Sequence, residues 1–350
     1  GEDSHVVPLR VYHVDDMVEL QPFEGATNRT AVMVLEKGRP TTYPVPYTIW
    51  RKAGKVRFSY ESTLDEVLAA TRRLNFQAEP VNAADPTSPW LTARPRALRA
   101  LRSVLGVADY EAHAGANTGG ANAVYWVEVV YQRPDGLMLV RNLTEGTRTR
   151  VDEVTEPIEP DLLYPLLRGR DVRRWQAQPS AHIIMVQDPD KRRGYDERWL
   201  QSQFPRTYAY LRNFKSVLRT RAVFTRYFSR VDASHQVTET GPFYSMFNVG
   251  PYTFAPWKVV WREQASRMTA AVVGDQDGKP VIPDHKLMLV DCSNADEAHY
   301  LTAVLNSSPV DLVVQSYTVD TQMDTHILEH VRIPRYSPGD PVHARLAALS

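Results

Sequence analysis

The sequence predicts an α+β fold with mixed sheets and helices. Segments of alternating apolar and polar residues are interleaved with segments of helical spacing, without strict β-α alternation. The composition, 43% hydrophobic and 23% charged over 350 residues, is ordinary globular material, enough for two or three domains. Pro (25) outnumbers Gly (17), so turns are numerous and many are stiffened.

Val6–Val14 and Thr30–Glu36 are β-rich runs, joined by Asp15–Arg29 with Pro22, Gly25 and Asn28 as turn chemistry. Two strands bury little alone and must join something larger. Lys37–Pro46 carries Pro and Gly and marks a boundary. Ser62–Leu74 reads as a helix capped by Ser62, with Leu64, Val67, Leu68 and Thr71 on one face. Pro80–Pro95 reads as loop, and Arg96–Leu105 as a basic amphipathic helix ended by Gly106. His113–Asn122 is a small-residue loop before the alternating strand Val124–Tyr131. Leu137–Asn142 and Arg148–Val154 continue a meander, and Pro157–Arg168 reads as helical. His182–Gln187 is a buried strand. Asp196–Phe228 is a basic helical stretch interrupted by Pro205. Strands follow at Phe243–Phe247, Lys258–Arg262, Ala270–Val273 and Lys286–Val290. A helix spans Asp296–Ser307 and continues into Val310–Val319, and Val331–Ile333 is a last short strand.

Cys292 is the only cysteine, so a disulfide framework and a cysteine-rich zinc site are excluded; one thiol fits a reducing cytoplasm. No apolar run approaches ~20 residues, and Gly1–Pro8 lacks the pattern of a signal peptide. The chain begins with Gly and enters a strand almost at once, which reads as a piece of a longer polypeptide.

Charge is segregated. Lys191–Arg230 holds eleven basic residues against Asp196 and Glu197, in a chain of net charge zero. A one-signed positive field points to a polyphosphate partner. Arg212, Lys215, Arg219, Arg226 and Arg230 recur at about helical spacing opposite Tyr208, Leu211, Phe214, Leu218 and Val223. A solvated helix face normally mixes signs, and this one does not. In Leu166–Trp175 four arginines, Arg168, Arg170, Arg173 and Arg174, flank a Gly turn. They suit bidentate contact with phosphate or guanine; a surface turn with Asp171 pairing locally reads equally well. In Asn248–Gln264, Tyr252 is a candidate for stacking or groove insertion and Lys258 for phosphate contact, whereas Phe254 and Trp261 read as core.

Other patterns are weaker. Gly115–Asn122 lacks the Lys-Ser/Thr of a P-loop and the spacing of GxGxxG. Pro283-Asp284-His285-Lys286, with Asp277, resembles half of a metal-dependent nuclease motif, which leaves a nuclease reading built on Asp277, Asp284 and Lys286. His326 and His330 lack a third ligand and read as structural or surface residues, so no metal is expected.

Taken in order, FEGATNRTAVMVLEKG, TTYPVPYTIWRK, GANTGGANAVYWVEV, LLRGRDVRRW, FPRTYAYLRNFKSVLRTR, YSMFNVGPYTFAPWKVVWRE, IPDHKLMLV and EAHYLTAVLNSSPVDLVVQSYTVDTQMDTHILEHVRIP resemble the C-terminal half of restriction-linked adenine-N6 DNA methyltransferases, including fused type IIG restriction and methylation enzymes. The resemblance implies the closing β-hairpin of a methyltransferase domain at 1–40, a connector with helices at 41–110, and a DNA target-recognition domain at 111–350. It implies double-stranded DNA as partner, with a methyltransferase catalytic domain in cis or in trans and no membrane. S-adenosylmethionine is expected on that catalytic domain and no cofactor on this chain. The Asn/Asp-Pro-Pro-Tyr motif that grips the flipped adenine is absent, since the chain has no Pro-Pro pair, and no catalytic residue is expected here. The expected contacts are Arg168, Arg170, Arg173, Arg174, Arg212, Lys215, Arg219, Tyr252 and Lys258, in a cytoplasmic protein. A protein- or RNA-interaction module of a phage-defence complex is the remaining alternative.

Overall fold

The computed structural model describes residues 7–23, 30–85, 87–231, 236–317 and 322–350. Val6, Gly25, Asn28 and positions 318 and 319, all named above, lie outside them. The chain divides into two compact units. One comprises residues 1–107, 312–318 and 330–332; the other comprises 108–311, 319–329 and 333–350.

The first unit is built on strands β1 (Leu9–Asp16), β2 (Ala31–Lys37) and β3 (Val45–Lys52), helix α1 (Leu64–Ala69), strands β4 (Thr71–Pro80) and β5 (Trp90–Ala93), and helix α2 (Pro95–Leu101). Its sheet runs in the order β2-β1-β3-β4-β5, with Val14, Val45 and Ala78 at the core. The sheet crosses the boundary expected near residue 40, because β1 pairs with β3 as well as with β2. Strand β2 is an edge, and Val32, Met33, Val34 and Leu35 are all exposed on it. The helix expected over Ser62–Leu74 is shorter. Thr63, not Ser62, caps it, in a reciprocal box with Glu66. From Thr71 onward the chain turns into β4, whose eight register pairs with β3 override helical spacing.

The second unit holds β6 (His113–Ala114), α3 (Asn122–Tyr125), β7 (Trp126–Gln132), β8 (Met138–Asn142), β9 (Thr155–Ile158), β10 (Leu163–Leu167), β11 (Val172–Arg173), β12 (Gln176–Ala177) and β13 (Ala181–Ile184). Two short hairpins, β14 (Gln187–Asp188) with β15 (Arg193–Gly194) and β16 (Ser229–Val231) with β17 (Val237–Glu239), flank helices α4 (Glu197–Gln203), α5 (Pro205–Asn213), α6 (Lys215–Arg219) and α7 (Ala222–Tyr227). Strands β18 (Trp257–Arg262), β19 (Ala271–Val273), β20 (Ile282–Pro283) and β21 (Leu287–Cys292) follow, then α8 (Ala295–Leu305), α9 (Ser308–Tyr317), whose residues from 312 on belong to the first unit, and α10 (Pro341–Leu349).

Two mixed or antiparallel sheets organise this unit, β20-β10-β13-β7-β8-β9 and β19-β18-β21-β6. The first buries Val127, Val140, Ile158, Leu166 and Ile183 in a core shared with Leu200, Tyr210, Leu211 and Leu218 of the helices. Leu167, Val172, Val260 and Leu289 form a second core. Gly115 permits a close approach: a Cβ there would lie 2.2 Å from the Asp284 carbonyl oxygen. Asn294 caps α8, and Glu297 reaches back to the Ser293 N–H. The elements give the α+β class expected.

Several expected elements are corrected. Pro157–Arg168 is not a helix: its middle is a single 3-10 turn at Pro160–Leu162, and Leu163–Leu167 is β10 with Pro165 inside the sheet. Phe243–Phe247 forms no strand, and Arg148–Val154 yields to β9 further on. The basic stretch is four short helices rather than a helical run interrupted once at Pro205. Pro205 starts a new helix, and the chain breaks again at Phe214 and at Thr220-Arg221.

Candidate nucleic-acid interface

The four-helix break dissolves the single charged stripe. Arg221, counted among its cations, is 5% exposed. Its Nε donates to the Leu218 carbonyl (2.8 Å), Nη1 to Thr118 (2.7 Å), and Nη2 to Phe243 and Ser245 (2.8 and 3.0 Å). Lys215 pairs with Glu197 at 3.3 Å and lies over the Phe243 ring. Arg219 holds Glu239 through two nitrogens, at 2.8 and 3.0 Å. Lys191 pairs with Asp188. Arg212 remains exposed, as do Arg198, Arg206, Arg226 and Arg230. Helical spacing over a run that breaks three times does not fix a common face, and acids distant in sequence neutralise part of it.

Two further expectations are corrected. Lys258 is 0% exposed, inside β18, and donates to the Ala255 carbonyl. Burial lowers its ammonium to about 8, and it is withdrawn from any backbone contact. Tyr252 is half-buried. Its ring stacks on His113 at 3.8 Å and 8° and packs against the second core, so it is not a free stacking platform.

The arginine turn after β10 keeps an open, polar surface. Asp171 is its internal anchor. The carboxylate, 7% exposed, accepts from the Arg168 backbone N–H at 2.9 Å and from the Ser180 hydroxyl at 2.5 Å, and lies 3.5 Å from Arg168 Nε. Arg168 Nη2 donates to Ser180 Oγ at 2.6 Å, and the guanidinium stands over the Trp126 ring. The local pairing read as an alternative thus holds for Arg168. Arg170 is 72% exposed and 4.0 Å from Asp171. Arg173 is exposed on β11, opposite Gln176 of β12. Arg174 is spent elsewhere: its guanidinium donates to the carbonyl of Asn306, the C-cap of α8.

Two clefts meet at Arg170. One, of 610 Å³, is lined by Trp126, Thr147, Arg168, Gly169, Arg170, Arg262, Gln264, Asp284 and Lys286, among others. The other, of 710 Å³, is lined by Arg170, Arg173, Trp175, Gln176 and Gln178 with Asp171, Ala177 and Val272. Trp126 Nε1, on the first cleft, is buried and finds no hydrogen-bond acceptor among the described residues, and Arg168 Nε has only its 3.5 Å approach to Asp171. Buried donors in that state are costly, and acceptor oxygens of a ligand suit them. The linings match the chemistry of base and phosphate contact: Arg for guanine and phosphate, Gln for adenine. Arg262, Gln176, Gln178 and Trp175 were not singled out in the sequence. Only the folded hairpin, and β18 for Arg262, bring them to the clefts that meet at Arg170.

Asp284 sits on the first cleft but is 2% exposed. Burial raises its carboxyl to about 6, against the pull of the Lys286 and Gly169 N–H groups. An acid raised on folding carries a penalty that is fully present above that pH and is released as the pH falls through it. Asp284→Asn is therefore expected to stabilise the protein by on the order of 2 kcal/mol at pH 8. The gain shrinks as the pH falls below 6, which urea titrations at pH 8 and near pH 4 would measure.

The nuclease arrangement gains no support. Lys286 pairs with Glu263 at 3.0 Å, and Asp277 sits at a left-handed turn position between Gln276 and Lys279. Lys279 is structural, donating to the carbonyls of Asp161 and Leu163 at 3.2 and 2.8 Å and also to that of Pro160. No group of three His, Cys, Asp or Glu suited to a metal occurs among the described residues. The Gly-rich segment 115–122 is packed, not open. A Cβ on Gly119 would lie 2.9 Å from Val223, so the turn there packs closely against α7. No described helix is long and apolar enough to cross a membrane.

No family model matches the chain. Over 151 residues it is 26% identical to the type II methyltransferase M.NspV of Nostoc sp., a match covering 43% of this chain and 28% of that protein's length. The chain is thus related at low identity to a restriction-modification methyltransferase and spans under a third of it. Among solved structures, the type IIL restriction-modification enzyme MmeI in complex with DNA aligns over 92% of this chain and 34% of its own, with a TM-score of 0.44 and 10% identity.

Proposed function

We propose that this chain is the sequence-recognising portion of an adenine-N6 DNA methyltransferase of a restriction-modification system, acting on double-stranded DNA in phage defence in the cytoplasm. The observation that carries the reading is the pair of clefts joined at Arg170, where arginines and glutamines share one rim with the exposed Trp175. Its only acids are Glu145, Asp171 and Asp284, of which Asp171 is turned inward to Arg168 and Ser180, and Asp284 is buried. Arg170 and Arg173 would grip phosphate and set register, and Gln176 and Gln178 would inspect base edges. The low-identity relation to a type II methyltransferase is consistent with this reading.

Methyl transfer in this family rests on an Asn/Asp-Pro-Pro-Tyr motif, which this sequence does not contain. The reading therefore assigns S-adenosylmethionine and the reacting adenine to a catalytic domain in cis or in trans. Strand β2 supports the need for such a partner. Its exposed run Val32-Met33-Val34-Leu35 lies on a free sheet edge, the kind of surface a continuing sheet covers.

The test is selection of bound duplexes from a pool with randomised centres, followed by a salt series. A selected duplex should bind roughly 10³-fold or more tightly than random duplex, with log K falling steeply against log salt. Equal binding of all duplexes, or stronger retention of single-stranded RNA, would overturn the reading.

A further inference from the structure

The hairpin β11–β12 closes through Arg174 and Trp175, since Val172 pairs with Ala177 and Arg173 with Gln176. Trp175 occupies the left-handed region, φ 73°. Bulky side chains rarely adopt this conformation, and holding one there is costly. Asn or Gly would close the same turn without strain. Nor does burial explain the tryptophan: it is 43% exposed and is not among the residues of the two cores described above.

The tip is nevertheless held firmly. Val172 is buried at its base, the Trp175 N–H donates to the Ala270 carbonyl at 3.0 Å, and Arg174 is fastened to the end of α8. The result is a large flat apolar side chain on a rigid two-stranded ribbon, flanked by Arg173 and Gln176, with the Arg174 guanidinium 5.5 Å from its ring centroid. A two-stranded ribbon fits the major groove of B-DNA, and an exposed apolar wedge at its tip reaches a base step.

We infer that Trp175 is a groove-inserted wedge that unstacks one base step of the bound duplex and stacks against the exposed base. This rests on the DNA-recognition reading and adds to it a specificity-determining residue whose role is mechanical. A step that unstacks at low cost, such as a pyrimidine–purine step, is then favoured at the position Trp175 meets.

The experiment uses the full chain and a duplex selected from a randomised pool. Thymine reactivity to permanganate reports unstacking, and anisotropy of a labelled duplex reports affinity. Wild type should show one hyper-reactive step. Trp175→Asn should abolish it and weaken binding about tenfold to hundredfold. The same variant should melt roughly 2–4 °C higher, because the strain is relieved. Trp175→Phe should keep part of the hyper-reactivity. That combination of higher stability with lost unstacking is not produced by a structural role. If Trp175→Asn leaves reactivity and affinity unchanged while substitutions at Arg170 and Arg173 weaken binding, the wedge is wrong and the recognition reading stands. If wild type prefers no duplex over random sequence, both fall.

Discussion

Arg221→Ala is expected to cost about 3–5 kcal/mol of stability, the largest effect of any single change considered for this molecule. The side chain is a buried cation whose guanidinium meets carbonyl oxygens rather than a carboxylate. Four carbonyl oxygens, of Thr118, Leu218, Phe243 and Ser245, satisfy it instead. These belong to the Gly-rich loop, the end of α6 and the loop after β17, so one guanidinium ties together segments far apart in sequence. Removing it leaves four acceptors unsatisfied and a cavity beside Tyr125, whose ring lies 5.8 Å from the guanidinium. Arg221→Lys should recover only part of the loss, because an ammonium presents three donors from one point rather than a planar fork. Urea unfolding followed by amide exchange at Thr118 and Ser245 measures both. A loss below about 1 kcal/mol for the alanine variant would show that the carbonyls find other partners.

That arginine also marks where sequence reading stops. Eleven cations in forty residues are visible as a list, but partner and burial are not. Glu197, Glu239 and the four carbonyls neutralise or absorb Lys215, Arg219 and Arg221 through contacts spanning up to 103 residues. Lys258 alternates into the core of β18 and reads on paper like any strand lysine; only its neighbours on β19 and β21 bury it. The strands that pair over long register were legible, β7 as an alternating run and β18 and β21 as short apolar, β-branched runs. So was α8, whose Asn294–Glu297 cap is written in four residues. The stretch from Pro157 to Arg168 was not legible. Its residues pattern equally well as helix, and pairing with β13 and β20 decides against it. The arginine turn was visible in composition. Its division of labour, with Arg168 and Arg174 fastened and Arg170 and Arg173 left outward, depends on Ser180 and Asn306.

That division yields the second large expectation. Arg170→Ala with Arg173→Ala should weaken binding of a selected duplex about tenfold to a thousandfold near 0.1 M salt and lower the slope of log K against log salt by about 2. Both side chains are exposed, Arg170 where the two clefts meet and Arg173 on the second of them, so folding should be nearly unaffected. Arg174→Ala should behave in the opposite way. It gives up a helix C-cap contact and so should lower stability by about 1 kcal/mol while leaving the salt slope nearly intact. The competing location is the helical segment, where Arg206, Arg212 and Arg226 stay exposed. If Arg212→Ala with Arg226→Ala changes the slope more than the Arg170 and Arg173 pair does, the phosphate track runs over the helices, and the hairpin is at most its base-reading edge. If the Arg170 and Arg173 pair leaves affinity and slope unchanged, the clefts hold no phosphate. The reading then fails at its foundation, because the two clefts joined at Arg170 are the observation that carries it.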